Sequence, residues 1–333
     1  MKKRLIIIGV CLAASFAAYA SVIARAQSGD TLQCSFPNVE NDSIYNNFIK
    51  KGIQLTYSRK RDADYYAVVE NKTDTSADLS IHRKGTEWHV ASIAYSIIAG
   101  DSIKSNGIWS WYNENNRVLY QETYDIGRLQ VIEQFEYDDS DVLLFSKIFE
   151  RKKRNSKYKI FFSRVKVFYP YGNTAVEATL PDERTMNDSR GIMRVRPTSA
   201  VCYDEGGKEI IYNNTKILQK ALQTYIQKNF RCPRVENALE VNASFDVILK
   251  TDSEGKVRII HAFDDVIYHY TITPTNQLPT GEMEKKIKPA LKTYIREELP
   301  SAEINCKPAT IGKTPIETIQ YLTLTIRIKT KVF

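Results

Sequence analysis

Four histidines, His82, His89, His261 and His269, are the only imidazoles among 333 residues. An imidazole does chemistry beside a partner: a nucleophile, a carboxylate or a metal ion. The spacings that build such partnerships do not occur. There is no GxSxG, no HExxH, no glycine-rich phosphate loop and no Cys–His pairing of catalytic type. His261 and His269, with Asp264 and Asp265, could hold a metal across a turn, but their spacing follows no established ligand set. His261 continues the Val257, Ile259 alternation, which predicts a structural histidine on the core side of a strand. The carboxylate pairs Asp62/Asp64, Asp138/Asp139 and Asp204/Glu205 fall at expected turns, where turn chemistry favours Asp. A hydrolase built from carboxylates distant in sequence is the enzyme alternative. The chain otherwise reads as no enzyme, with no catalytic residue, metal or cofactor.

The first residues read as an export signal. Lys2, Lys3 and Arg4 precede the apolar run 5–20, and small residues follow at Ala18, Ala20, Ala24 and Ala26. Cleavage is expected after Ala20 or after Ala26; the second is preferred, giving a signal peptide over 1–26. The rival is a retained anchor, since residues 5–24 carry no charge and just reach the length of a membrane span. Removing residues 1–26 removes four basic groups and no acid, so the net charge falls from +8 to 8 − 4 = +4. That weak excess makes no case for nucleic acid. The run Arg151-Lys152-Lys153-Arg154 reads as a solvated turn. Export leaves Cys34, Cys202, Cys232 and Cys306 in an oxidising periplasm or cell envelope, enough for two disulfides with three possible connectivities. Cys232 with Cys306 is preferred, because both fall in the C-terminal module, with Cys34 and Cys202 left over.

Between residues 27 and 213 the sequence predicts a β-rich domain. Twenty Tyr and thirteen Phe favour strands, and strand-like runs appear at 53–57, 65–69, 88–98 and 107–112. A strand-ending tyrosine followed by a polar turn recurs at Tyr112, Tyr124 and Tyr137, then at Tyr169 and Tyr203. The first three are 12 and 13 residues apart, which is hairpin spacing. The segment 107–129, with Trp109, Trp111, Tyr112, Asn116, Tyr120, Tyr124 and Gly127, resembles diverged MORN-type repeats of exported bacterial proteins, which implies stacked hairpins in one extended sheet. An ordinary antiparallel meander fits the same signals.

Thr215 is placed to cap a helix whose apolar face carries Ile217, Leu218, Ala221, Leu222, Tyr225 and Ile226. From Leu239 the chain alternates strictly through Val241, Ala243, Phe245, Val247 and Leu249. A turn at Asp252-Ser253-Glu254-Gly255 leads into a second apolar run, a helix is expected over 282–299 that Pro289 should kink or shorten, and the last strand carries Leu322, Leu324, Ile326 and Ile328. The order is ββαβ, and the whole is α+β. The strand–turn–strand through Phe245, Asp252, Gly255, Lys256 and Val257, the turn from Pro308-Ala309 to Gly312-Lys313 and Pro315-Ile316, and the final strand together resemble the TonB C-terminal domain family. The resemblance runs from Lys228 to Phe333, within a domain placed over 214–333. It departs at Cys232-Pro233, where Tyr-Pro is usual, and in an extra segment over 264–281.

The resemblance implies a protein or peptide partner in the cell envelope, such as an outer-membrane receptor, bound by strand addition at a sheet edge. Thr323, Thr325, Arg327 and Lys329 would form the outward row of that edge strand. Solvated strand positions that guard an edge would look the same. A TonB-type energy transducer is the alternative, although no Pro-rich spacer is present. A purely structural surface protein is a further one.

Overall fold

The computed structural model describes residues 23, 26–35, 54–56, 65–98, 102–154, 157–181, 185–187, 193–195, 198–233, 239–264, 266–272 and 283–329. Two compact units emerge. The first holds residues 1–141 and 147–162, the second residues 142–146 and 163–333. All pairings described below are antiparallel, so the expectation of a β-rich antiparallel protein holds.

The strands in chain order begin with β1 (Thr31–Ser35), β2 (Gln54–Thr56), β3 (Tyr65–Lys72), β4 (Ser76–Arg83), β5 (His89–Ile98) and β6 (Ser102–Ser105). They continue with β7 (Gly107–Tyr112), β8 (Val118–Asp125), β9 (Arg128–Tyr137), β10 (Leu143–Arg154) and β11 (Lys157–Phe168). In the first unit the neighbours run β9-β8-β7-β5-β4-β3-β1-β2, with β6 also on β5. From β3 onward the sheet is largely a meander, β4 returning beside β3, β5 beside β4, β8 beside β7 and β9 beside β8, while β1 lies between β2 and β3 and β7 pairs with β5 past β6. One face buries Leu32, Val69, Leu79, Ile81, Ile93, Trp109 and Trp111. Period-two alternation fixes which residues face inward. Between β8 and β9 the turn residues Ile126 and Gly127 both have positive φ, 40° and 79°. The right-handed twist of the flanking strands demands that mirror-image turn, at the expense of a β-branched residue in a conformation it rarely takes. Ile23 and Ala26 join this core, 0% and 4% exposed. The remaining candidate leader residues, and with them the anchor expectation, lie outside the described residues. No helix among the described residues is long and apolar enough to cross a membrane.

The second unit adds β12 (Thr174–Thr179), β13 (Thr185–Asn187), β14 (Met193–Val195), β15 (Ser199–Tyr203) and β16 (Glu209–Ile210), then α1 (Thr215–Asn229). β12 lies between residues 164–168 of β11 and β15, and β16 closes on β15. β13 and β14 form a separate hairpin. There follow β17 (Leu239–Thr251), β18 (Lys256–Ala262), β19 (Ile267–Ile272), α2 (Lys288–Thr293), β20 (Ile304–Asn305), β21 (Ala309–Ile311), β22 (Thr314–Ile316) and β23 (Thr318–Lys329). β17 is the sheet's central strand. β23 pairs with it from end to end on one edge, while β19 and β18 share the other. Leu218, Leu222 and Ile226 of α1, with Ile287, Leu291, Tyr294 and Ile295 around α2, pack on Phe245, Val247, Leu249, Leu324 and Ile326.

The structure bears on several local expectations. The segment 264–281, read as an extra segment, supplies β19, a strand that the expected ββαβ order lacks. Pro289 sits inside a continuous helical stretch over residues 283–298, where its missing N–H removes a ladder bond, and only Lys288–Thr293 (α2) is regular α-helix, with wider π-helical turns over Met283–Ile287 and Tyr294–Glu298 on either side. Asn214 rather than Thr215 occupies the N-cap position of α1. Ile217, assigned to the buried face, is 49% exposed. The boundary placed at residue 213 falls inside the second unit. Asn213 there exchanges hydrogen bonds with Thr310, and the buried Asn214 bonds Lys307 O and Gln320.

Candidate functional site

β23 is twelve residues long, and among the described residues its only strand partner is β17. Its apolar side chains Leu322, Leu324, Ile326 and Ile328 point into the core. The intervening row is the one the sequence assigned to a partner. Thr323 and Thr325 do not simply meet solvent. The Thr323 hydroxyl donates to Asp246 Oδ1 at 2.7 Å, and Tyr321 donates to Asp246 Oδ2 at 2.7 Å. Thr325 Oγ1 and Ser244 Oγ share a bond of 2.8 Å. Asp246 and Ser244 are the polar residues opposite them on β17, and both are buried. Charge-assisted bonds of this kind compensate the loss of hydration around a buried carboxylate. Arg327 is exposed, and the side chain of Lys329 lies outside the described residues.

Helix α1 runs beside this strand, and two of its glutamines reach its backbone. Gln219 Nε2 donates to Thr323 O at 2.8 Å, and Gln223 Nε2 donates to Thr325 O at 2.9 Å. The match is geometric. Four helical residues rise about 6 Å, and two strand residues span about 6.8 Å. A glutamine at every fourth helix position can therefore meet a carbonyl at every second strand position. Gln227 continues the row at the next turn and is exposed. A primary amide presents the same N–H group as a peptide bond, so these side chains occupy carbonyls that an added strand would otherwise bind. The apolar face of α1 dominates its sequence pattern and masks the glutamine row. The i, i+4, i+8 repeat of Gln219, Gln223 and Gln227 was the available signal.

Beside the first half of β23 lies a cleft of about 290 Å³. Ala200, Cys202 and Ile210 from β15 and β16 line one side, and Gln320, Leu322 and Thr323 line the other. Ile211 at its rim is 90% exposed. Burial pushes the Cys202 thiol up to about 11, so it is a poor nucleophile at neutral pH. The main-chain amide of Thr198 approaches the Thr323 hydroxyl at 3.5 Å.

Cys202, Cys232 and Cys306 are free thiols in the structure. Cys232 and Cys306 pack against the same core, and each donates a weak bond to the carbonyl of the next residue. The side chain of Cys34 lies outside the described residues. His261 departs from its expected place. A bulge leaves Ile260 unpaired between Ile259 and His261, which flips the alternation. The core position passes to Ala262, and His261 turns to the opposite face, between Phe145 and Phe263, each ring centroid 4.7 Å away. Asp264 pairs with Arg296 at 2.5 Å. The side chain of His269, and Asp265 altogether, lie outside the described residues. Among the described residues no group of three or more His, Cys, Asp and Glu could hold a metal.

Comparison with protein-family models and with curated proteins finds no match to the chain.

Proposed function

We propose that the chain is an exported cell-envelope protein that binds an extended peptide of a partner by strand addition along the outer edge of β23. The observation that supports this most is the glutamine row of α1 on that edge. A strand of twelve residues paired on one side exposes a template for another chain, and here two of its carbonyls are held by side chains rather than by a strand. Side-chain caps are individually weak, about 1 kcal/mol each, and rotate away without unfolding the helix. The adjacent cleft, with the exposed Ile211 at its rim, offers a pocket for an apolar side chain of the incoming segment. The resemblance of the C-terminal sequence to TonB C-terminal domains supports the same reading.

Export belongs to this reading, with a refinement. Cleavage after Ala26 would remove Ile23 and Ala26 from the first core, whereas cleavage after Ala20 would keep both. We therefore favour a mature protein that begins at Ser21.

A photo-crosslinking amino acid placed at Thr325 or Arg327 in intact cells tests the site, with the exposed Arg258 on β18 as the control. A discrete envelope adduct from the β23 positions and none from position 258 is the expected result. The double variant Gln219→Ala/Gln223→Ala should raise the yield, because its caps no longer compete. Equal labelling from all three positions, or none from β23, would refute strand addition there.

A further inference from the structure

We propose that the tip of the β10–β11 strand pair is a docking surface for an anionic phospholipid bilayer. The site lies in the first unit and is independent of the strand-addition reading. The basic run Arg151-Lys152-Lys153-Arg154, expected as a solvated turn, is instead the last stretch of strand β10. Across the pair, the Arg151 guanidinium sits 4.2 Å from the centroid of the Tyr158 ring, and the rings of Phe149 and Phe162 lie 5.1 Å apart. These two cross-strand contacts put all four side chains on one face. Alternation along each strand adds Lys153 and Ile160 to it. That face therefore carries Arg151 and Lys153 along β10, and Tyr158 and Ile160 along β11.

The tip is bare on both sides. Tyr158 is 57% exposed and Ile160 36%, and Lys159 between them is exposed as well. In a half-buried strand only every second residue meets water, so among the described residues neither face of β11 is covered here. Its outer edge is open too, since β12 pairs with β11 only from Arg164 to Phe168. Between Lys147 and Phe162 the sequence holds seven Lys and Arg and one acid, Glu150, a net charge of +6 within a chain of net +8. Glu150 belongs to the opposite face, where Lys152 Nζ lies 4.0 Å from its carboxylate. No carboxylate of β10 or β11 shares the face of Arg151 and Lys153.

Charge and side-chain type select the occupant. Lysines alone would guard an open strand edge against aggregation, but an exposed tyrosine and isoleucine beside them work against that purpose. Cations flanking aromatic and aliphatic side chains match a bilayer interface, where the cations meet headgroup phosphates and the apolar groups enter the acyl boundary. The long Lys and Arg stems lie against lipid while their charged ends stay among the headgroups. A second copy of the chain fits poorly, because two such faces bring like charges together. A nucleic acid fits poorly as well. Arg151 already covers one side of the one exposed ring of these two strands, and Ile160 offers no surface on which a base could stack.

Flotation of the protein purified from cells tests the proposal, with vesicles of equal parts phosphatidylglycerol and phosphatidylethanolamine set against vesicles of phosphatidylcholine. The anionic vesicles should bind at least about tenfold more tightly. That preference should shrink as salt rises from about 50 to about 300 mM, because added ions screen exposed charges. Lys153→Gln should weaken anionic binding about fivefold, the worth of one cation near such a surface. Ile160→Ser should weaken it about threefold or more and leave the salt dependence unchanged, because it removes only apolar insertion. The double variant Lys216→Gln/Lys220→Gln, at exposed positions of α1, removes more charge elsewhere and should change nothing. All the altered side chains are exposed, so the fold is kept, and thermal unfolding of each variant checks this. Equal binding to both vesicle types, or equal losses from the α1 and β10 variants, would overturn the docking surface. So would wild-type binding by Ile160→Ser together with capture of random-sequence duplex DNA, which would mark a polyanion site.

Discussion

Gly255 gives the sharpest test of how the second unit is held together. It closes the turn between β17 and β18 with φ at +89°. Its carbonyl accepts the N–H of Cys306 at 2.8 Å. A Cβ added there would overlap the carbonyl oxygen of Cys306 and lie 3.2 Å from that carbonyl carbon and from Cδ of Pro308. In Gly255→Ala, an L-residue at this φ costs about 1–2 kcal/mol. Displacing a main-chain carbonyl adds about 1–3 kcal/mol, as overpacking does elsewhere, and the strained 255–306 bond contributes about 1 kcal/mol more. The sum is about 3–6 kcal/mol. Gly312→Ala isolates the backbone part, because Gly312 has φ at +62° and nothing within 4 Å of the added carbon. It should cost only the first term, about 1–2 kcal/mol. Urea unfolding with pulse proteolysis, following peptides from residues 239–329, compares the two variants. If Gly255→Ala lies within about 1 kcal/mol of Gly312→Ala, the close approach of the two chain segments is not a stabilising contact, and the reasoning fails.

Four further outcomes are expected. Asp246→Ala should destabilise the same unit by about 2–4 kcal/mol in a denaturant titration, because it strands the hydroxyls of Tyr321 and Thr323 in a buried site. Ile126→Asn should stabilise the first unit by about 1 kcal/mol, since Asn tolerates the positive φ that isoleucine resists; a loss of thermal stability would count against the turn geometry. Cys202 should react with iodoacetamide at pH 8 about a hundredfold more slowly than a model thiol, until urea exposes it, because its raised pKa leaves little thiolate. Complete inertness in urea without reductant would show it to be oxidised. The bond from Arg296 holds the Asp264 carboxyl below its ordinary value. That pair therefore adds stability above the usual carboxylate range and loses it as pH falls through the depressed folded value. Both side chains are well exposed, so the difference between wild type and Asp264→Asn should stay under about 1 kcal/mol, flat near neutrality and vanishing in acid.

The sequence by itself determined the strands and their inward faces. Period-two alternation through Leu239, Val241, Ala243, Phe245, Val247 and Leu249 marks a half-buried strand wherever it occurs, because neighbouring side chains leave opposite faces of the backbone. The turn at Asp252-Ser253-Glu254-Gly255 was legible for a similar local reason, since glycine alone takes its φ without strain. Only the tertiary structure decided what lies beyond a strand's edge or across a hairpin. The bulge at Ile260 reversed His261, because one unpaired residue inverts every position after it and leaves no mark in composition. β19 stayed hidden in 264–281, because a short strand is stabilised by the partner it pairs with. The glutamine caps and the stacked rings of His82 and His89 depend on side chains that meet through the pitch of a helix beside a strand and through the register of two strands. Both are distances between elements, and a sequence specifies them only through the packing of the whole.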